Sequence, residues 1–302
     1  MLNSKDLYPT RTEAPVGVIP RLDPVIHSDE NGHWSGPLTS DELRRFEHDG
    51  YLFFEGLFPP EEVEAFREEL RRLEADPDLN DWDGMIREPE SNEVRSVFGI
   101  HRADISDRFN RLARDPRLLD RVRQLLASEV YIHQSRINYK PGFRGTGFNW
   151  HSDFETWHAE DGMPRMRAVS CSIILTDNHA LNGPLMLIPG SHKHFVSCVG
   201  ATPEDNYRRS LKVQEFGVPD EDAIRTLARE RGIDAATGPA GSLLIFECNT
   251  LHASNANMSP DPRSNVFFVY NSVRNRPQQP YGAPGVRPAF LGEREDFTPL
   301  ER

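Results

Sequence analysis

Apolar positions along the chain fall into three textures. Residues 1–38 hold several prolines and glycines and show no apolar period, which predicts an extended arm rather than a packed element. The next stretch is helical in character. Thr39 with Glu42 forms a capping box that opens a short helix through "SDELRRFEHDG", and Gly50 ends it. "PPEEVEAFREELRRLEA" places proline in its first turn, acids near its start and arginines near its end, as a helix and its macrodipole require. "DPRLLDRVRQLLAS" predicts a further helix, with Asp115 as cap and Pro116 at the first helical position. "YLFFEGLF", between the first two helices, reads as a strand.

After Ser128 the texture changes. "EVYIHQSRINY", "MRAVSCSIILT", "PLMLI", "GSLLIFE" and "NVFFVYNSV" are short runs rich in β-branched and aromatic residues, separated by Gly, Pro and Asn clusters. "DEDAIRTLARERG" is the strong helical interruption among them. Helices followed by strands predict an α+β chain with a mainly β core: a jelly roll, or double-stranded β-helix of the cupin type, buttressed by helices. The expected organisation is an arm at 1–38 and one domain at 39–302, with helical support over 39–128 and the jelly-roll core over about 129–275. There is no internal repeat and no low-complexity tract.

The length of 302 residues suffices for a sizeable core. A formal charge of −12, from 47 acidic against 35 basic side chains, gives nucleic acid no general reason to bind. No window approaches eighteen apolar residues, and the first twenty residues lack the pattern of a signal peptide, so a cytoplasmic protein without a membrane partner is expected. Cys171, Cys198 and Cys248 are far apart and form no CxxC pair, which predicts reduced, mostly buried thiols.

Candidate chemistry concentrates in "FNWHSDFETWHAEDGMP", residues 148–164, where two histidines, four carboxylates and two tryptophans crowd a segment that reads as a loop. In an extended chain His151 and Asp153 point to the same side and can reach one metal ion. A third ligand is offered by His252, just past "GSLLIFE". Two histidines and a carboxylate form the facial triad of non-haem Fe(II) oxygenases, although zinc accepts the same donors. Arg263, eleven positions after His252 at the mouth of a strand, separates the two: its fixed fork suits a dicarboxylic cosubstrate such as 2-oxoglutarate.

Strand alternation places Gln134, Arg136 and Asn138 on one face with Val130 and Ile132. If that face looks into a barrel, a bound polar ligand supplies the partners these groups need; an edge strand with the face in water is the alternative. Ser170 and Ser172 raise the same question. Trp157 lies four residues beyond Asp153 and Phe246 six before His252, and both, with Phe267, are candidates for an aromatic box that attracts a cationic or zwitterionic substrate. Trp150 is assigned to the core, and His133, His158, His192 and His194 to loops or the surface.

These residues resemble the phytanoyl-CoA dioxygenase-like branch of the Fe(II)/2-oxoglutarate oxygenases, and within it the ectoine hydroxylases. That group's signature, F-x-W-H-S-D-F-E-T-W-H-x-E-D-G-M/L-P, is met at every fixed position of Phe148 to Pro164. The resemblance extends to "DLYPTR", "QSRINYKPG", "NGPLMLIPGSH" and "NTLHASNANMSPDPRSNVFFVYNSV", and so covers most of the chain. It implies His151, Asp153 and His252 as iron ligands. It implies Arg263 as the clamp on the far carboxylate of 2-oxoglutarate, with Arg136, Asn138, Phe148, Ser170 and Ser254 lining that pocket. Gln134, Thr156, Trp157, Phe246, Asn265 and Phe267 are implied for an ectoine pocket. The implied activity is hydroxylation of L-ectoine to 5-hydroxyectoine with release of succinate and CO2, a step in making a compatible solute against osmotic and heat stress. A homodimer is implied as well. The resemblance is weakest in the arm and in "KHFVSCVGATPEDNYRRSLKVQEFG", a candidate mobile lid. Competing expectations are a related oxygenase acting on another small amino-acid-like substrate, a non-catalytic jelly-roll protein that holds a metal or ligand, and a zinc hydrolase.

Overall fold

Strand alternation and helix capping together account for most of the architecture. The computed structural model describes residues 6–14, 17–88, 91–211 and 216–302. In chain order the strands are β1 Val18–Pro20, β2 Tyr51–Phe54, β3 Met85–Arg87, β4 Val94–Phe98, β5 Val130–Lys140, β6 Phe148–His151 and β7 Ala168–Ile174. They continue as β8 Leu185–Leu187, β9 His194–Val196, β10 Asp234–Ala235, β11 Leu243–Glu247, β12 His252–Ser254 and β13 Arg263–Ser272. The helices are α1 Ser40–Asp49, α2 Pro60–Ala75, α3 Asp107–Leu112, α4 Pro116–Leu126, α5 Asp153–Thr156, α6 Tyr207–Ser210 and α7 Glu221–Arg231.

A seven-stranded antiparallel sheet in the order β2-β11-β7-β13-β5-β4-β3 faces a four-stranded sheet in the order β10-β8-β12-β6. Leu185 and Leu187 of the small sheet pack against Leu244, Phe246 and Phe267 of the large one, which closes the jelly roll. β5 is therefore an interior strand, paired with β13 on one side and β4 on the other, and its polar face is not an edge in water. On its outer face the large sheet packs against the helices, where Ile137, Ile173, Ile245, Val266 and Phe268 join Leu118, Leu119 and Val122 of α4 in one core.

The helix signals act as predicted. Thr39 Oγ1 accepts from the Glu42 amide at 3.3 Å while Glu42 accepts from the Thr39 amide at 2.8 Å, and Gly50 ends α1 at φ +83°. Pro60 and Pro116 stand in the first turns of α2 and α4, and Asp115 caps α4 by accepting from the Arg117 amide at 2.8 Å.

Two expectations change. The N-terminal segment is extended but packed: β1 pairs with β9, and Tyr8, Thr10, Arg11, Asp23 and His27 are buried. Tyr8 and Asp23 bond to each other, but the segment's other partners, Glu155, Arg165, Met166 and Cys198, lie more than a hundred residues away, and no local period reveals them. Of the candidate lid at 193–217, residues 212–215 lie outside the described residues; the rest contains β9 and α6. No helix among the described residues is long and apolar enough to cross a membrane. The three cysteines are free and buried.

Candidate active site

Ser152 turns the signature segment from strand to helix. β6 ends at His151, the Ser152 hydroxyl accepts from the Glu155 amide at 3.4 Å, and Asp153 becomes the first residue of α5. The helical path continues through a π-helical turn at Trp157–Asp161, a form that recurs at functional sites. His151 and Asp153 thus meet across a capped strand end, not by the alternation of an extended chain as the sequence reading has it.

The third ligand comes from the neighbouring strand. His252 of β12 sits opposite His151 in the antiparallel ladder, with ring centroids 4.2 Å apart. Asp153 Oδ1 lies 3.7 Å from His151 Nε2 and 3.8 Å from His252 Nε2, and the three ligand atoms all fall within 4.8 Å of one another. A single ion with bonds of about 2.0–2.2 Å fits among them. Backbone carbonyls fix the tautomers: His151 Nδ1–H donates to the Asn149 carbonyl at 2.7 Å and His252 Nδ1–H to the Thr250 carbonyl at 2.9 Å. Each ring therefore turns its Nε2 toward Asp153. Burial, then the neighbouring His151, lowers His252 to about 4, so it is neutral as a ligand must be. Burial alone would raise Asp153, but His252, His151 and Arg136 outweigh it and hold the carboxyl below the usual range. Asp153 Oδ2 has no hydrogen-bond partner among the described residues. A buried, ionised and half-unpaired carboxylate between two imidazoles fits a divalent iron ion.

Below the triad the cavity has a cationic floor. Arg263 opens β13 at 2 % exposure, donates through Nη1 to the Gly183 carbonyl, and leaves Nε without a partner among the described residues. Burial lowers it only to about 10, so it stays charged at neutral pH. Directly across the ladder stands Lys140, whose Nζ donates to Ser254 Oγ at 2.9 Å and to the Asn255 carbonyl. Burial, then Arg263 and Arg95, depresses Lys140 to about 6. A charged Arg263 beside a buried lysine that favours its protonated form once an anion arrives makes a site for a carboxylate.

The remaining expected residues divide by position. Asn138, Phe148 and Ser254 line the cavity near this floor, and Arg95 lies 4.0 Å over the Phe148 ring. Gln134, Arg136, Thr156, Trp157 and Phe267 line the other end. There Arg136 donates to Gln134 Oε1, its guanidinium lies 4.8 Å over Phe267, and Gln134 Nε2 donates to the Leu291 carbonyl at 2.7 Å. Ser170, Phe246 and Asn265 share the inner face of the large sheet but are not among the lining residues. Ser170 Oγ and Asn265 Oδ1 are buried without partners among the described residues, and the Phe246 ring meets the His252 ring at 5.1 Å.

Lys140, Glu160 and Arg287 also line the cavity and were missed in the sequence. Lys140 continues the alternation of Gln134, Arg136 and Asn138 and was legible; Glu160 follows a helical period inside a segment read as a loop. Arg287 comes from a tail without periodicity. The histidine assignments change too: His133, His158 and His192 are buried, not on the surface. His133 contacts Asp161 at 3.1 Å, and the same carboxylate takes both arms of Arg287, at 2.8 and 2.6 Å. Trp150 is partly buried and packs on the Ile188 and Leu251 cluster, close to its expected core role.

A jelly roll that holds two histidines and a carboxylate at one mouth, above a buried arginine and lysine, defines the class of metal-dependent oxygenases that take a dicarboxylic cosubstrate. The chain belongs to the phytanoyl-CoA dioxygenase family, whose model matches residues 46–265. More narrowly, it is similar to the ectoine dioxygenase of Halomonas elongata, at 56% identity over 97% of this chain and 87% of that protein. It is also similar to the crystal structure of EctD from S. alaskensis with 2-oxoglutarate and 5-hydroxyectoine, at a TM-score of 0.87 and 46% identity over 98% of this chain and 97% of that one. The same enzyme with bound Fe gives a TM-score of 0.86 and 46% identity, covering 98% of each chain.

Proposed function

We propose that the protein hydroxylates L-ectoine at C5, consuming 2-oxoglutarate and O2 and releasing 5-hydroxyectoine, succinate and CO2. The observation that carries this reading is the junction, in one cavity, of the complete triad with the floor formed by Arg263 and Lys140. Identity of 56% to an ectoine dioxygenase over nearly the whole chain supports ectoine as the substrate.

His151, Asp153 and His252 hold the iron, three ligands that leave positions open for cosubstrate and O2. Fe(II), when bound, supplies the redox chemistry that couples decarboxylation of the 2-oxo acid to insertion of one oxygen atom into a C–H bond. Everything else is positioning by the chain. Arg263 and Lys140 take the far carboxylate of 2-oxoglutarate, with Asn138, Phe148 and Ser254 around it and Ser170 behind. Arg136, which the resemblance implies for the 2-oxoglutarate pocket, is assigned instead to the substrate end, where Gln134 aligns it and its charge suits the carboxylate of ectoine. Trp157 and Phe267 offer ring faces to the amidinium and Thr156 a polar contact, while Phe246 and Asn265, implied for the same pocket by the resemblance, stand behind its wall. With both ends of the substrate fixed, one C–H bond faces the metal, and that geometry sets regiospecificity and stereospecificity.

A cytoplasmic location and a homodimer belong to the same reading. Free, buried thiols support the first, and the family resemblance supports the second. Anaerobic protein supplied with Fe(II), 2-oxoglutarate and ectoine, then exposed to O2, should form succinate and 5-hydroxyectoine in matched amounts by mass spectrometry. Succinate without hydroxyectoine would reject ectoine, and neither product from iron-loaded protein would reject the oxygenase.

A further inference from the structure

The turn that carries Asp153 has two faces. Asp153, Thr156, Trp157 and Glu160 point into the cavity. Phe154, Glu155 and His158 face the other way, and all three meet the N-terminal segment: Tyr8 packs edge-on to Phe154 at 5.3 Å, Thr10 donates to Glu155 at 2.7 Å, and Asp6 contacts His158 at 2.9 Å. The alternate residues of an extended segment thus grip the back of the ligand-bearing turn.

Arg11 is the strongest of these contacts. Its Nε and Nη2 fork Glu155 at 2.8 Å each, and Nη1 reaches Glu160 at 2.9 Å and Thr202 at 3.0 Å. Glu155 and Arg11 are both buried, and Glu160 is part of the cavity wall. Two glycines make room for Arg11: a Cβ at Gly217 would lie 2.4 Å from Arg11 Nη2, and one at Gly282 would lie 3.2 Å from Arg11 Cβ. Its backbone sits at φ +57°, a conformation that non-glycine residues keep only where their surroundings enforce it. The segment is anchored independently, since Tyr8 Oη donates to Asp23 at 2.8 Å and the Arg11 amide to the Cys198 carbonyl at 2.8 Å.

We infer that Arg11 is a positioning residue for the active site: by tying Glu155 to Glu160 it fixes the rotation of the turn over 153–161, and with it the aim of Asp153 at the metal and of Trp157 at the substrate. The inference rests on the oxygenase reading above. Without the guanidinium two buried carboxylates lose their counter-charge, and the turn must rotate or admit water to solvate them. Asp153 and Trp157 each lie two residues from Glu155 on that turn and move with it. Decarboxylation of 2-oxoglutarate tolerates such movement better than hydroxylation, which also needs one C–H bond held in place.

The test compares Arg11→Ala and Arg11→Lys with the wild type, each first shown to melt cooperatively. At saturating substrates, the yield of 5-hydroxyectoine per succinate should fall to about half or less in Arg11→Ala, with Arg11→Lys intermediate. Cobalt(II) titration of the apoprotein, followed by tryptophan fluorescence, should show an affinity weakened about tenfold. A folded variant with wild-type product ratio and wild-type cobalt affinity, changed only in melting temperature, would reduce Arg11 to a structural brace and overturn the inference. If Arg11→Ala does not fold, Arg11→Lys and Glu155→Gln carry the same comparison. If the wild type makes no hydroxyectoine, the proposed function fails, and the cobalt titration still decides the role of Arg11.

Discussion

The two faces of the seven-stranded sheet come from the same strands and do opposite work. Along β5, Ile137 and Tyr139 face the helices while Gln134, Arg136, Asn138 and Lys140 face the cavity. Along β13, Val266 and Phe268 face the core, and Arg263 and Phe267 face the site. The outer face is filled and apolar. The inner face carries Arg263 Nε, Ser170 Oγ and Asn265 Oδ1 unpaired among the described residues, a state that costs stability until a polar ligand arrives. A period of two lets one strand serve both purposes, because a side chain changes role by moving one position along the chain.

Substitutions on the two faces should therefore separate stability from activity. The largest effect is expected for His252→Ala, which removes a metal ligand: turnover should drop by about 10³-fold or more while the melting temperature of the apoprotein hardly changes. Ordinary activity in that variant would remove His252 from the metal site. On the opposite face Phe268→Ala should cost about 3–5 kcal/mol in denaturant unfolding, with KM values for the folded fraction unaltered. Arg263→Met should raise the KM for 2-oxoglutarate by about 10- to 100-fold through lost charge-assisted hydrogen bonds, yet leave apoprotein stability equal or higher. A destabilised apoprotein with unchanged KM would transfer Arg263 to the structural face.

Lys140 gives the comparison a pH dependence. Its folded pKa is about 6, set by burial, against an ordinary value of 10.5, so between these values the unfolded chain binds the extra proton and stability rises with pH. Lys140→Met should flatten that slope. A carboxylate docked beside Lys140 favours its charged form, so 2-oxoglutarate binding near pH 8 should take up a proton. Calorimetry in buffers of different ionisation enthalpy reads this uptake, and an unchanged uptake in Lys140→Met would place the proton elsewhere. The smallest effect is expected at Ser170: Ser170→Ala relieves an unpaired hydroxyl, leaving apoprotein stability unchanged or raised by about 1 kcal/mol, with a modest rise in the KM for 2-oxoglutarate.

How much of this was legible in the sequence follows from how local each signal is. Alternation along "QSRINYK" exposes the polar inner face, and the capping pairs at Thr39 and Asp115 mark the helices, because these patterns repeat over two to four residues. The signature acids were read as a crowded loop because their partners are remote. Glu155 pairs with Arg11, 144 positions away, and Asp161 with Arg287, 126 positions away. The burial of His133 and His158 is hidden from the sequence for the same reason, since their partners are Asp161 and Asp6. Only Asp153 among the four carboxylates belongs to the triad; the other three hold the turn against the N-terminal segment and the tail.

The most direct test of the central claim is the fate of labelled oxygen. With Fe(II), 2-oxoglutarate and ectoine under ¹⁸O₂, succinate and 5-hydroxyectoine should each carry one heavy oxygen, formed in equal amounts by mass spectrometry. Hydroxyectoine whose oxygen derives from water, or succinate formed without label, would contradict the assignment of this cavity as a 2-oxoglutarate-dependent hydroxylase site.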